Sequence, residues 1–274
     1  MLLPSEARLV EDPFGVAFSS PKIAKHLQEA RAIPRWAKLP GLGDFVLYMQ
    51  VRTRVLDDAV RAFAASGGRQ LVLLGAGYDC RALRLGAELG LSVFEVDHPA
   101  TQGHKRRVLD GLGRPSPARY LEWHFEERPM AELAGALGAV GHERGAPSLT
   151  LWEGVTMYLT EPAIDASVRA IADYSAPGSQ LAMTYLVGSG IQKPSLTTRA
   201  IQAVVATAGE PWRWGWEPTE LPAWLAVRGF SLNRDASIAT EAERLLPPDY
   251  ARRVEDPTRR FAVGARESVA VAGK

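Results

Sequence analysis

Two glycines and one aspartate form the first pattern in this chain that points to chemistry. Gly75 and Gly77 follow an apolar run in the segment LLGAGYDCR (Leu73–Arg81), and Asp97 comes 20 residues after Gly77. Glycines here let the backbone turn sharply and let a ligand approach the main chain closely. A carboxylate that ends the following strand can accept the hydroxyl protons of a ribose. The spacing therefore predicts a nucleoside site built on Gly75, Ala76, Gly77 and Asp97.

The type of nucleotide is indicated by what the glycine turn lacks. Cys80 occupies the position of the third glycine in a dinucleotide fingerprint, and no GxxxxGK[ST] sequence is present. The helix start is therefore less suited to a pyrophosphate, which favours the phosphate-free adenosyl ligand S-adenosyl-L-methionine. The alternative is an ordinary tight strand-to-helix turn without a ligand, which would by itself explain the two glycines. A nicotinamide-dependent oxidoreductase is the rival on the same fold, and Cys80 and the lack of a convincing Tyr-x-x-x-Lys pair argue against it.

The elements that must position these residues alternate between strand and helix. A stripe of Val51, Val55, Ala59 and Phe63 predicts a helix over Asp44–Ala65. Alternating strands and helices predict an α/β fold, with a parallel sheet and helices on both faces. The predicted strands are Gln70–Leu74, Leu91–Val96, Arg119–Phe125, Ser148–Gly154, Gln180–Leu186, Phe230–Arg234 and Ser268–Ala272. The further predicted helices are Thr101–Leu109, Glu161–Tyr174, Ser195–Ala208 and Glu217–Val227.

Composition excludes several classes of function. The net charge of the 274 residues is +1, so no global basic field attracts nucleic acid or anionic lipid. A single cysteine excludes an intramolecular disulfide, and the five histidines include no HxxxH or HxH pair, so we expect no metal site. Charged residues interrupt the apolar start of the chain, and no apolar run is long enough to span a bilayer. We therefore expect a soluble, cytoplasmic protein.

Four segments together resemble one known family. RTRVLDD (Arg52–Asp58), LLGAGYDCRALRL (Leu73–Leu85), VFEVDHPATQGHKRR (Val93–Arg107) and LWEGVTMYL (Leu151–Leu159) occur in the order and spacing of the leucine carboxyl methyltransferase-like family. The chain looks most similar to its bacterial branch of tetracenomycin-type polyketide carboxyl O-methyltransferases. The resemblance implies the class I methyltransferase fold, a doubly wound, Rossmann-like, mostly parallel sheet of seven strands. A helical cap would precede the sheet, and a helical insertion would lie near the C-terminus.

The resemblance also implies roles for individual residues. Arg52 matches the arginine that holds the methionine carboxylate of the cofactor, and Glu153 matches the glutamate beside the cofactor's amino acid end. Where the family usually has Asp-Leu at the adenine and Tyr-Glu after the fifth strand, this chain has His124-Phe125 and Tyr185-Leu186. The expected cofactor-binding set is Arg52, Gly75, Ala76, Gly77, Asp79, Asp97, His98, His124, Phe125 and Glu153.

The expected reaction is methylation of an oxygen on a small molecule. A carboxylate acceptor is ionised at neutral pH and needs no general base, and no histidine carries a distinctive base signature. A phenol acceptor with a histidine base is the alternative, and a binding protein without transfer activity is a further one. Tyr158 would orient the acceptor, and PWRWGWEP (Pro211–Pro218) would pack aromatically or form a lid. The expected acceptor-binding set is Tyr158, Tyr185, Arg213 and Trp214.

No linker marks a domain boundary, so we expect one domain over residues 1–274. Its parts would be a helical cap (1–66), a cofactor-binding core (67–190) and a segment of substrate-side helices and final strands (191–274). We expect a monomer or homodimer whose partner is a small carboxylic acid or phenol, of the kind found in secondary metabolism.

Overall fold

The structure is a computed structural model that describes residues 3–18, 42–125, 127–192 and 211–267. Its strands are β1 (Gln70–Leu74), β2 (Ser92–Asp97), β3 (Arg119–Glu122), β4 (Ser148–Trp152), β5 (Gln180–Leu186), β6 (Phe230–Ser237) and β7 (Arg259–Arg266). They form one sheet in the order β3-β2-β1-β4-β5-β7-β6. The neighbours among β1 to β5 pair in parallel, whereas β7 is antiparallel to both β5 and β6. The predicted seven-stranded, mostly parallel sheet is confirmed.

Helices cover both faces of this sheet. They are α1 (Leu42–Ala65), α2 (Pro99–Gly111), α3 (Leu133–Ala139), α4 (Glu161–Tyr174), α5 (Gly188–Gln192), α6 (Leu221–Ala226), α7 (Ile238–Leu245) and α8 (Pro248–Ala251). The side chains of β1 alternate between the two faces, as a buried parallel strand requires. Leu71 and Leu73 pack with α1, α7 and α8, whereas Val72 and Leu74 pack with α3, α4 and α6. Each fully buried aliphatic side chain stabilises the fold by about 1.5–3 kcal/mol.

Several elements begin and end where the sequence predicts. The bounds of β1, β5 and α4 coincide with the prediction, and Pro162 lies in the first turn of α4, where its missing N–H costs nothing. The third strand is shorter than predicted and ends at Glu122. The carbonyl of His124 accepts the N–H groups of Glu127 and Arg128, so the chain turns there instead of extending.

Other elements differ more from the prediction. A single π-helical turn, Ala82–Gly86, takes the place of the helix expected after the glycine turn, and the helix expected over Glu217–Val227 is the shorter α6. The strand β7 was not predicted at all. The helix predicted at Ser195–Ala208 and the strand predicted at Ser268–Ala272 lie outside the described residues.

The segment after β6 packs against α1. The helices α7 and α8 pack on the same sheet face as α1, and Arg253 donates to Asp44 of α1 at 2.7 Å. Among the described residues, no helix has the length and apolar character needed to cross a membrane. The division into one domain with three parts stays a prediction.

Candidate functional site

A cavity of about 590 Å³ lies at the carboxyl ends of the parallel strands. This edge of an open α/β sheet is where ligands bind, and the volume is typical of small-molecule sites, roughly 300–1,000 Å³. Because β7 is antiparallel, its first residue, Arg259, pairs with the last residue of β5, Leu186, at this same edge. The cavity lining includes Asp12, Phe45, Tyr48, Met49, Arg52, Gly75, Ala76, Gly77, Tyr78, Asp79, Cys80, Arg81, Arg84, Glu153, Val155, Met157, Tyr158, Leu186, Trp212 and Arg259.

The glycine turn forms the floor of this cavity directly after β1. Gly75 and Gly77 have φ of +69° and +48°, which side chains other than glycine rarely adopt. A Cβ added at Gly75 would lie 2.7 Å from Cγ2 of Val155, so the turn also packs too closely for any side chain. A Cβ at Gly77 would meet nothing within 4 Å. The main chain at Gly77 is therefore open to a ligand.

Asp97 is joined to the glycine turn by hydrogen bonds. Its Oδ2 accepts the N–H of Gly77, and its Oδ1 accepts the N–H of His98 at 2.6 Å. A carboxylate has about four acceptor positions, so each oxygen keeps one for a further donor. Asp97 does not itself line the cavity, although it is bonded to a residue that does. The arrangement fits a carboxylate that binds the ribose hydroxyls and also holds the glycine turn in place.

A buried ion pair lies behind the turn and supports it. Nζ of Lys105 on α2 lies 2.6 Å from Oε2 of Glu95 on β2, and both side chains are at most 1% exposed. The same ammonium donates to the carbonyl of Asp79. Burial raises the pKa of Glu95 to about 7, against the opposing effect of Lys105. The pair fixes the backbone just after Gly77 from the side away from the cavity.

Six charged residues form a cluster on the opposite wall. Arg81 is its centre, with its side chain 2% exposed. It donates to Asp57 at 2.7 Å, to Glu153 at 2.6 Å and to Asp79. The other bonds of the cluster join Arg52 to Glu153 and Arg84 to Asp57, each at 2.7 Å. Three guanidinium groups thus balance three carboxylates in a largely dry wall, as buried charges require.

The cluster keeps Glu153 ionised. Burial by itself would raise the pKa of this carboxyl, but the guanidinium groups of Arg81 and Arg52 outweigh burial and hold the pKa at about 2. Burial, the largest single effect, lowers the pKa of Arg52, but the charges of Glu153 and Tyr48 and the hydrogen bonds with them together outweigh burial and raise it. Arg52 uses its Nε for Glu153. Tyr48 is a second hydrogen-bond partner of Arg52, and the five N–H groups of a guanidinium leave donors beyond these two partners for a second carboxylate.

Arg81, Tyr48 and Arg259 are cavity residues that the sequence analysis did not single out. Arg81 stands in the segment that carries the glycine turn. An arginine among mainly small and apolar residues was the sequence signal that could have marked it as a site residue. Tyr48 and Arg259 come from distant parts of the chain, and the Cζ of Arg259 lies 4.5 Å from the Tyr48 ring centre. No local pattern could have paired them.

Several residues predicted for the site lie outside the cavity. His98 and His124 are exposed, and their rings meet edge to face with centres 4.9 Å apart. Nδ1 of His98 accepts the N–H of Ala100 and so caps α2. Phe125 lines a separate cavity of about 250 Å³ with Met130 and other residues. The role of Phe125 at the cofactor stays a prediction.

Some of the residues predicted to bind the acceptor also lie outside the cavity lining. Tyr185 points away from the cavity, where its hydroxyl donates to Asp235 at 2.9 Å and accepts from Arg260 at 2.9 Å. Trp214 packs edge to face on Trp216 in an aromatic cluster with Trp224. Arg213 is exposed and does not line the cavity. Tyr185, Trp214 and Arg213 thus do not meet Tyr158 in the cavity lining, and their roles at the acceptor stay predictions.

Tyr158 and Trp212 do lie at the cavity. Tyr158 ends a short 3₁₀ turn after β4, Thr156–Tyr158, and is half-buried. Trp212 is the tryptophan of the PWRWGWEP segment that lines the cavity, among the residues described. The backbone N–H of its neighbour Arg213 donates to the carbonyl of Met157 at 2.7 Å, which fixes the segment beside the 3₁₀ turn. No group of three or more metal-ligating side chains occurs within the described ranges.

Cys80 has no reactive character in this arrangement. Its side chain is buried, and burial raises the pKa of the thiol to about 12. The thiol is therefore protonated at neutral pH and is a poor nucleophile.

Comparisons with known proteins identify the family. The family model for leucine carboxyl methyltransferase matches residues 3–172. A Streptomyces coelicolor protein named "putative S-adenosyl-L-methionine-dependent methyltransferase" is 38% identical over 193 residues, which cover 66% of this chain and 63% of that protein. A Streptomyces avermitilis protein described in the same way is 32% identical over 214 residues, with 77% and 69% covered. The chain thus spans a little under two thirds of the first relative's length.

Solved structures agree with the fold. A methyltransferase from Thermobifida fusca, itself described as putative, aligns with a TM-score of 0.59 at 18% identity, over 90% of this chain and 89% of that one. Geranyl diphosphate methyltransferase in complex with SAM aligns with a TM-score of 0.51 at 14% identity, over 85% of this chain and 94% of that one. Likeness at these identities concerns the fold alone. The tetracenomycin-type branch stays a prediction, whereas the family itself is confirmed: this chain belongs to the leucine carboxyl methyltransferase family.

Proposed function

We propose that this protein transfers a methyl group from S-adenosyl-L-methionine to an oxygen of a small molecule. The observation that carries the proposal is the Arg52–Glu153 pair, which lies in the same cavity as the glycine turn. The amino acid end of the cofactor is a zwitterion. Arg52 offers terminal N–H groups to its carboxylate, and Glu153, held ionised, offers a negative charge to its ammonium group. The names of the relatives agree with this cofactor.

The adenosine end would lie across the open main chain at Gly77. The carboxylate of Asp97 has acceptor positions left for the two ribose hydroxyls, beyond the N–H groups of Gly77 and His98. When bound, S-adenosyl-L-methionine supplies a sulfonium methyl group that moves to the acceptor as the bond from carbon to sulfur breaks. The protein's part is to align the acceptor and exclude water.

We favour a carboxylate acceptor over a hydroxyl. A carboxylate is ionised at neutral pH and needs no base, whereas a phenol, with a pKa near 10, would benefit from one. Of the four histidines in the described ranges, none lines the cavity. Asp12, a lining carboxylate, is already engaged by the N–H groups of Phe14 and Gly15. The lining described thus offers no evident base, which supports methyl ester formation.

Ligand-induced stabilisation tests the proposal. S-adenosylhomocysteine should raise the melting temperature, since a ligand that binds only the native state stabilises it by mass action. NAD should not. A larger shift with NAD would replace the proposal with a dinucleotide enzyme. Mass-spectrometric detection of methyl esters, with a panel of small acids and matched phenols, then separates carboxyl from hydroxyl methylation.

A further inference from the structure

We infer that Arg259 is the anion anchor of the acceptor site and that the acceptor is an aromatic or apolar carboxylic acid. This inference rests on the proposed function and extends it to the substrate class. It starts from a difference among the arginines of the cavity wall. Arg52, Arg81 and Arg84 all belong to the balanced six-residue cluster, whereas Arg259 is the lining arginine outside that cluster, within the described residues.

Arg259 is held in a fixed orientation. Its side chain is 11% exposed, its Cζ lies 4.5 Å from the ring centre of Tyr48, and its Nε donates to Asp256 at 3.2 Å. Asp256 is itself held, because its Oδ1 accepts both the N–H and the hydroxyl of Thr258. The hydrogen bonds in the described ranges engage Arg259 through Nε, which leaves both terminal nitrogens for a ligand. A guanidinium fixed on a ring face and open at its fork is suited to bidentate binding of a carboxylate.

Arg259 lies on the β5 side of the cavity, and the Tyr48 ring joins it to Arg52, with Cζ of Arg52 at 5.6 Å and Cζ of Arg259 at 4.5 Å from the ring centre. Arg259 pairs with Leu186 at the end of β5, whereas the glycine turn follows β1 and Asp97 ends β2. The strands β1 and β5 are separated by β4, whose end carries Glu153. The amino acid end of the cofactor would therefore lie between the adenosine site and Arg259. An acceptor bound at Arg259 would approach from the side of β5.

The walls on this side are apolar and aromatic. Tyr48, Phe45, Met49, Met157 and Trp212 line the cavity together with Arg259. Phe45 is 49% exposed, so its ring is accessible to a ligand in the cavity. Thioether and aromatic side chains adapt to flat apolar ligands. A flat apolar body that ends in one carboxylate matches both the walls and the anchor.

Binding of 2-naphthoate and its uncharged amide analogue tests this inference. Calorimetry would be done with and without saturating S-adenosylhomocysteine, on the native protein, Arg259→Gln and Arg259→Lys. Arg169→Gln, which changes an exposed arginine on α4, is the matched control. We expect the native protein to bind the acid more tightly than the amide. Arg259→Gln should lose roughly ten- to a hundredfold in affinity for the acid and little for the amide, because a charge-assisted pair is lost.

Arg259→Lys should fall between the native protein and Arg259→Gln, because it keeps the charge but loses the fork. Affinity for S-adenosylhomocysteine should stay native in both variants. A weakened affinity would overturn the inference by placing Arg259 in the cofactor site. The inference would also be overturned if the native protein did not bind 2-naphthoate. It would be overturned as well if Arg259→Gln preferred the acid over the amide by the same factor as the native protein. Discrimination by Arg259 without any binding of S-adenosylhomocysteine would instead overturn the proposed function.

Discussion

Each oxygen of the Glu153 carboxylate is bound by a different arginine. Arg81 donates from Nη1 to Oε2 at 2.6 Å, and Arg52 donates from Nε to Oε1 at 2.7 Å. Arg81 reaches Glu153 from the segment after β1, and Arg52 reaches it from α1. The bonds therefore tie the helix before the sheet, the glycine turn and the end of β4 together at the cavity.

Removal of this charge should destabilise the fold. Glu153→Gln leaves the three guanidinium groups of the cluster with two carboxylates, and breaking a buried pair costs about 3–5 kcal/mol. Chemical denaturation should therefore show a clear loss in the free energy of unfolding. Glu88→Gln is the control, since Glu88 pairs with Arg61 at the surface and its loss should change stability little. Equal stability of the two variants would mean that the Glu153 bonds contribute nothing to the fold.

The same carboxyl predicts a pH dependence. Its pKa is held at about 2 in the folded protein, below the value of about 4.3 for an unperturbed glutamate. A depressed pKa gives stability that is present above the unfolded pKa and is lost as pH falls toward the folded one. The difference in unfolding free energy between native protein and Glu153→Gln should thus shrink between about pH 4.5 and pH 2. A difference that stays constant over this window would contradict the assignment.

Asp97 should govern cofactor affinity. Asp97→Ala removes the acceptor proposed for the ribose and leaves the N–H of Gly77 without its partner. We expect a loss of roughly 1–3 kcal/mol in the binding of S-adenosylhomocysteine, measured by calorimetry. Asp97→Asn, which keeps one acceptor oxygen, should lose less. Native affinity in a well-folded Asp97→Ala protein would place the ribose elsewhere.

The acceptor chemistry predicts which side chains turnover needs. With a carboxylate acceptor, Tyr158→Phe should lower turnover by at most roughly tenfold, because one neutral hydrogen bond is worth about 0.5–1.5 kcal/mol. Replacing His98, His104 or His124 with Asn should leave the chemical step nearly unchanged. The rate should also be nearly flat from mild acid to mild base. A histidine variant that binds cofactor normally but loses a hundredfold in the chemical step would reveal a general base and favour a hydroxyl acceptor.

Local signals made part of the site predictable. The glycine turn, Asp97 and Glu153 each stand at the end of a predicted strand, so the sheet edge gathers them whatever the rest of the chain does. By contrast, Arg81 and Glu153 are 72 residues apart, and Tyr48 meets Arg259 across most of the chain. Such pairings depend on tertiary packing and leave no periodic pattern in the sequence.

The antiparallel end of the sheet could not be predicted from the sequence for a related reason. The strand β7 inserts between β5 and β6, so its residues pair with a strand that precedes it by more than 70 residues. Arginines begin and end it, and Gly264 interrupts its apolar positions, which weakens the alternation that would have marked a strand. The same insertion gives Tyr185 partners that no local pattern indicates, since its hydroxyl bonds to Asp235 on β6 and Arg260 on β7.

Trp212 and Arg259 both reach the cavity from beyond residue 172, where the match to the family model ends. The glycine turn, Asp97, Arg52 and Glu153 all lie within the matched residues. The residues assigned to the methyl donor thus all lie within the matched residues. The acceptor side combines Phe45, Tyr48, Met49 and Met157 from the matched residues with Trp212 and Arg259 from beyond them. A chimera that exchanges the segment from residue 211 onward with that of a relative would replace Trp212 and Arg259 and keep the residues proposed for the cofactor, which makes this segment a target for directed evolution of selectivity.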